Sequence, residues 1–134
     1  MMLSENLPEI IALAKAADDH WEREFDKGGT YPPEEGGPLL PEQVRLKELL
    51  SSLPQEQLYA LLTVAYLGRG NSKRVEELDA YRQRMVEQWA GARLPSILVD
   101  TATLAGELAD GLGKLAAKGM NIDSVVQPIS EVAA

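Results

Sequence analysis

The stretch LYALLTVAYLGRGN, residues 58–71, decides the fold of this chain. Its first ten residues are apolar nearly all round a helix, and such a helix is usually the buried centre of a bundle. We therefore predict a central helix that opens at Pro54 and runs to Gly68. The residues after it change character at once, from apolar side chains to two glycines around an arginine.

That turn, Gly68-Arg69-Gly70-Asn71, is expected to join two helices. A glycine in the left-handed region would end the first helix, and Asn71 or Ser72 would cap the second. No acid stands beside Arg69 in the motif, so two interpretations are open. Arg69 either pairs with a carboxylate elsewhere in the fold or presents its guanidinium to an anionic group of a partner or ligand. Arg69 and Asn71 are therefore candidate binding residues.

Helical periodicity on both sides predicts four further helices, and nothing predicts a strand. The first spans Leu7 to about Phe25 with Asn6 as N-cap, the second opens at Pro41, the fourth runs from near Ser72 to Gly91, and the fifth starts at Asp100 or Thr101 and ends at Gly119. Pro95 predicts a short turn before the fifth helix. That last helix contains Gly106, Gly111 and Gly113, which would each weaken it by up to about 1 kcal/mol unless they allow close approach to a neighbouring helix.

Length and composition place these helices in a single domain. The chain has 134 residues, 45% hydrophobic and 25% charged, as soluble globular proteins do. Paired glycines and prolines between residues 26 and 40 predict an irregular loop. The tail, 119–134, carries apolar residues that fit docking on the bundle or on a partner. We expect one all-α domain over residues 1–134, a bundle of about five helices.

Charge and residue usage exclude several classes of function. The net charge is −8, which argues against nucleic-acid and anionic membrane surfaces. With one histidine and no cysteine, the chain has no set of ligands for a structural zinc site and no disulfide. The run Gly111-Leu112-Gly113-Lys114 lacks the spacing of a phosphate-binding loop. No signal peptide or membrane span is evident, so we predict a cytoplasmic protein. We also predict no cofactor.

The acid excess lies in the N-terminal part, where residues 1–53 hold 11 acids and 5 bases. Asp18 and Glu22 are four residues apart and share a helix face, as do His20 and Glu24. Such a pair offers two metal ligands, but a bundle metal site needs more ligands from another helix, and there is no second histidine. We therefore predict no metal site and interpret the acids as an exposed helix end, with Asp18 and Glu22 as candidate binding residues.

The corner has the sequence Tyr66-Leu67-Gly68-Arg69-Gly70-Asn71, preceded by Leu58-Tyr59-Ala60-Leu61-Leu62. This pattern resembles an uncharacterised bacterial family, the domain of unknown function catalogued as 3775, in which a helix ends in Leu/Ile-Gly-Arg-Gly-Asp and a long helix follows. Residues 101–112 resemble a later segment of that family. The resemblance spans roughly residues 54–115 and departs from the family at Asn71, where an aspartate is usual. It implies a fold and no activity.

Three functions remain open. The sparse catalytic groups and the neutral, arginine-bearing middle favour a non-catalytic interaction or adaptor protein, with an unknown protein partner or a second copy of itself. The acidic N-terminal part also fits an inhibitor or immunity-type protein that covers a basic site of a toxin or defence complex. The third is an enzyme or small-ligand binder that uses Arg69 in an inter-helix pocket, with His20 or a carboxylate as base.

Overall fold

The computed structural model describes residues 2–26, 41–70, 73–101 and 103–126, and the side chains of residues 21–26 stay outside this description. Over that part of the chain the fold is all-α, without a strand, as the sequence predicts. The six helices are α1 (Leu3–Asp26), α2 (Pro41–Ser51), α3 (Gln55–Leu67), α4 (Leu78–Gln88), α5 (Leu94–Val99) and α6 (Leu104–Ala117), with single 3-10 turns at Val75–Glu77 and Ile122–Ser124. Most of the predicted loop and the end of the tail lie outside the described residues.

Helix α3 is the centre of the bundle. Every residue from Gln57 to Ala65 is buried, as is Leu67, while Tyr66 is only half-buried. Helices α4, α5 and α6 all pack on α3, and α1 packs on α2 and α6. The prediction of a buried central helix is confirmed. A helix that is apolar on all sides can bury its side chains only where neighbouring helices surround it.

Both ends of the described chain meet at α1. This helix begins at Leu3 rather than Leu7, so the predicted cap at Asn6 is wrong. Leu3 is fully buried, and the Ser4 backbone N–H donates to Asp123 Oδ1 at 3.0 Å. Ile122 and Val125 are also buried. Residues 122–125 thus dock on the bundle, and this tertiary contact adds a turn to α1 that local sequence does not predict.

Three other boundaries differ from the prediction. The turn expected at Pro95 is the six-residue helix α5. Helix α4 begins at Leu78, after a 3-10 turn, instead of near residue 72. Helix α6 begins at Leu104, because Thr103 rather than Asp100 or Thr101 is its N-cap residue. None of these shifts changes the order of the helices along the chain.

Candidate functional site

The corner after α3 is formed by direct contact of two helix backbones. A Cβ atom added at Gly68 would overlap the backbone oxygen of Glu107, and one added at Gly111 would overlap the backbone oxygen of Val64. Gly68 has an ordinary helical φ of −78°, while Gly70 has a φ of +80°. The left-handed glycine is therefore Gly70, and the prediction that placed it at the end of the helix is corrected. Gly68 is required for space and Gly70 for conformation.

Arg69 has a carboxylate partner inside the fold. Its Nε donates to Glu107 Oε2 at 3.0 Å, and Thr103 Oγ1 donates to the other oxygen of Glu107 at 2.8 Å. The Glu107 side chain is only 15% exposed, whereas Arg69 is 50% exposed. This is the partner that the first interpretation of Arg69 requires. Much of the charge of Arg69 is balanced by Glu107.

Lys114 holds the corner from the α6 side. Its Nζ donates to three backbone oxygens, those of Leu67 at 2.7 Å, Gly70 at 2.8 Å and Lys73 at 3.1 Å. An ammonium group has three N–H donors, so this geometry uses all of them. The carbonyls at a helix C-terminus have no partner within the helix and favour a cation. Lys114 thus binds the end of α3 and the turn to α6.

Asp19 and His20 of α1 have partners away from this corner. The ammonium of Lys15 lies 3.0 Å from Asp19 Oδ2, and His20 Nδ1 lies 3.5 Å from Glu42 Oε2 on α2. Asp18 is half-buried and already has an interaction partner. The Glu22 side chain and Asn71 lie outside the described residues. Among the residues that the structure describes, no group of three or more His, Asp or Glu side chains is placed to hold a metal ion.

A second polar group lies beside the corner, and we call it the tyrosine cluster: Tyr66, Lys73, Tyr81 and Arg84. The Tyr66 and Tyr81 rings meet edge to face, with centroids 5.1 Å apart. Lys73 Nζ lies 4.5 Å from the centroid of the Tyr66 ring, and Arg84 Nη1 donates to Tyr66 Oη at 2.8 Å. Both cations therefore contact one aromatic side chain, one over its face and one at its hydroxyl.

The cluster is held by its neighbours. Tyr81 Oη accepts from the backbone N–H of Arg74 at 3.0 Å and donates to Glu77 Oε2 at 2.8 Å, which fixes the second ring. Lys73 and Arg84 have no carboxylate partner among the described residues, unlike Arg74, whose Nε lies 3.6 Å from Glu76 Oε2. The half-exposed aromatic pair thus carries two cations at Tyr66 and one carboxylate, that of Glu77, at Tyr81.

The same contacts predict how the tyrosines titrate. Lys73, and then Arg84, lower the pKa of Tyr66 below the ordinary 10.0, because both cations favour the phenolate. Burial raises the pKa of Tyr59 above 10.0. Absorbance titration at alkaline pH should therefore show Tyr66 ionising before Tyr59, and Tyr66→Phe should remove amplitude below pH 10. A Tyr66→Phe curve that loses amplitude only above pH 10 would contradict this assignment.

Sequence reasoning missed both Lys114 and the tyrosine cluster. Tyr66 reads as one more apolar residue of α3, and Lys73 and Arg84 read as part of a solvated helix face. The cluster forms because the chain reverses at the corner and brings α4 back beside the end of α3. No local pattern encodes that angle. Lys114 is five residues before Gly119, the predicted C-cap glycine, which is the one sequence signal that favours a cation there.

Comparison with known proteins identifies a family. A family model described as "Protein of unknown function (DUF3775)" matches residues 43–116, more than half of the chain. Neither the curated proteins nor the solved structures contain a significant match. The matched region runs from α2 to α6 and includes both the corner and the tyrosine cluster. Among the described residues, no helix is long and apolar enough to cross a membrane.

Proposed function

The chain belongs to the DUF3775 family, and because the description of that family assigns no activity, we propose a function on structural grounds: this is a non-catalytic protein-interaction module. It contacts an acidic segment of a partner protein through the tyrosine cluster. The observation that carries this proposal is the pair of cations, Lys73 and Arg84, that surround Tyr66 without a carboxylate partner among the described residues.

The chemistry of the cluster suits a protein contact. Tyrosine and arginine are enriched where protein interfaces gain most of their binding energy, because each combines a large contact area with directed hydrogen bonds. The two rings are already packed on each other, so little side-chain entropy remains to be lost on binding. An acidic partner would give Lys73 and Arg84 carboxylates, which the described residues do not supply, and would be steered to this face by its charge.

Arg84→Glu tests this proposal, with Arg45→Glu on α2 as the matched control. Both positions are exposed, and both substitutions change the net charge by the same amount. Affinity purification of the tagged full chain from its native host, quantified by mass spectrometry, should recover a stoichiometric partner with the wild type and with Arg45→Glu. The Arg84→Glu variant should recover about tenfold less, as expected when an interfacial charge pair is reversed.

The other outcomes separate the alternatives. Full recovery with Arg84→Glu would overturn the tyrosine cluster as the contact surface, and no partner in any sample would overturn the interaction module. A partner lost instead on substitution of Asp18 and Asp19 would support the acidic inhibitor. If the captured partner is the chain itself, light scattering of the purified protein will show a dimer that Arg84→Glu dissociates, because the acid-rich N-terminal part of a second copy then supplies the carboxylates.

A further inference from the structure

A cleft opens on another side of the bundle, where the end of α2, the start of α3 and the start of α5 meet. Its volume is about 370 Å³, within the usual range for pockets that bind small molecules. Leu58 and Leu94, both almost fully buried, form part of its lining, together with Leu53 and Pro95. The lining therefore combines these apolar side chains with the polar ones of Ser51, Gln55 and Ser96.

The rim of the cleft is cationic. Lys47 from α2 and Arg93, the N-cap residue of α5, both line the opening and are exposed. Neither has an ion-pair partner among the described residues, and no acid is among the described side chains that line the cleft. The protein has a net charge of −8, so these two cations carry the charge opposite to that of the protein as a whole. Ser51, Gln55 and Ser96 add hydrogen-bonding groups beside them.

We propose that this cleft binds a small organic anion with an apolar body, of the class of a medium-chain carboxylate. The carboxylate would lie between Lys47 and Arg93, since a guanidinium can donate two parallel hydrogen bonds to it. The hydrocarbon part would cover Leu53, Ala92 and Pro95, apolar lining residues that are only half-buried. An inorganic anion would leave the apolar lining unused, and a neutral hydrocarbon would leave both cations unpaired. The site is separate from the tyrosine cluster and goes beyond the proposed interaction function.

Octanoate is the probe that tests this proposal, used below its micellar concentration. Addition of octanoate to the full-length, ¹⁵N-labelled protein should shift, in a saturable way, the amide signals of residues 51–58 and 93–96 other than the prolines at 54 and 95. Acetate, which has the charge without the apolar body, and octanol, which has the body without the charge, should each bind at least about tenfold more weakly. Shifts scattered over other surfaces, or equal binding of octanol, would overturn the proposal.

Arg93→Gln provides the variant, and Arg45→Gln provides a control that removes an exposed arginine of α2 outside the cleft. Both side chains are exposed, so both variants should keep the far-ultraviolet spectrum of the wild type. The dissociation constant for octanoate should rise about tenfold in Arg93→Gln and stay unchanged in Arg45→Gln. Unchanged affinity in Arg93→Gln would overturn the assignment. Arg84→Glu should leave octanoate binding intact, which keeps this test independent of the proposed partner.

Discussion

Alanine at position 111 is expected to destabilise the folded chain by about 3 kcal/mol or more, which lowers Tm by roughly 10 °C. The added methyl group would occupy the space of the Val64 backbone oxygen. Because the obstacle is backbone, relief requires α3 and α6 to move apart, and that movement would loosen the central contact of the bundle. Thermal unfolding followed by circular dichroism measures the effect directly.

Gly113→Ala, on the same helix, is the matched control. Nothing lies within 4 Å of a Cβ atom built at Gly113, and that residue is exposed. The substitution should stabilise the protein by about 0.5–1 kcal/mol, since alanine is the better helix former. If the two alanine variants unfolded at the same temperature, the close approach of α3 and α6 would be refuted.

Replacing Lys114 with methionine is expected to lower the free energy of unfolding by about 2 kcal/mol. The substitution removes hydrogen bonds from a charged donor, and water replaces only part of them. Methionine keeps most of the apolar stem, so the change isolates the ammonium and its three carbonyl partners. Urea denaturation gives the magnitude. Hydrogen exchange should also quicken at the amides next to the turn, because the end of α3 loses its anchor.

Lys118→Met is the control for this change. Its ammonium lies 2.9 Å from Glu76 Oε1, but both side chains are about half exposed. Exposed ion pairs contribute little, so the loss should stay below about 0.5 kcal/mol. A larger loss in Lys118→Met than in Lys114→Met would mean that the three carbonyl contacts of Lys114 contribute little to stability.

Much of the fold is predictable from sequence because one helix has no polar face. Residues 58–67 can be buried only at the centre of several helices, so an all-α bundle follows before any contact is known. Helix boundaries were less predictable. Leu3 begins α1 four residues early because Ser4 binds Asp123, a partner 119 residues away that no local pattern reveals.

The glycines show the same limit. Sequence predicts close approach at Gly106, Gly111 and Gly113, yet only Gly111 meets a neighbouring backbone, and the space around the other two is open. Gly68 makes a second close approach, to the backbone of Glu107, although the sequence pattern predicts only that a glycine ends α3 there. Which glycine is needed depends on where the two helix axes cross. The tyrosine cluster depends on how α4 packs on α3, and the cleft depends on how α2, α3 and α5 meet, so no local sequence pattern predicts either of them.

The structure also divides the corner into two parts. Gly68, Arg69 and Gly70 all face or bind α6, either through backbone contact, through Glu107 or through Lys114. Tyr66 and Arg84 lie beside them, and Arg84 has no carboxylate partner among the described residues. The glycine–arginine motif therefore holds α3 against α6, and the proposed binding surface is the neighbouring tyrosine cluster.

Partner recovery by Arg69→Ala and Arg84→Ala, measured side by side on the same tagged chain, tests this division most directly. Arg69→Ala removes an ion pair whose carboxylate, on Glu107, is only 15% exposed, so it should lower the free energy of unfolding by about 1–3 kcal/mol and still retain the partner of the wild type. Arg84→Ala should lose most of the partner while unfolding at the temperature of the wild type. The reverse result, with the partner lost in Arg69→Ala and kept in Arg84→Ala, would contradict the account.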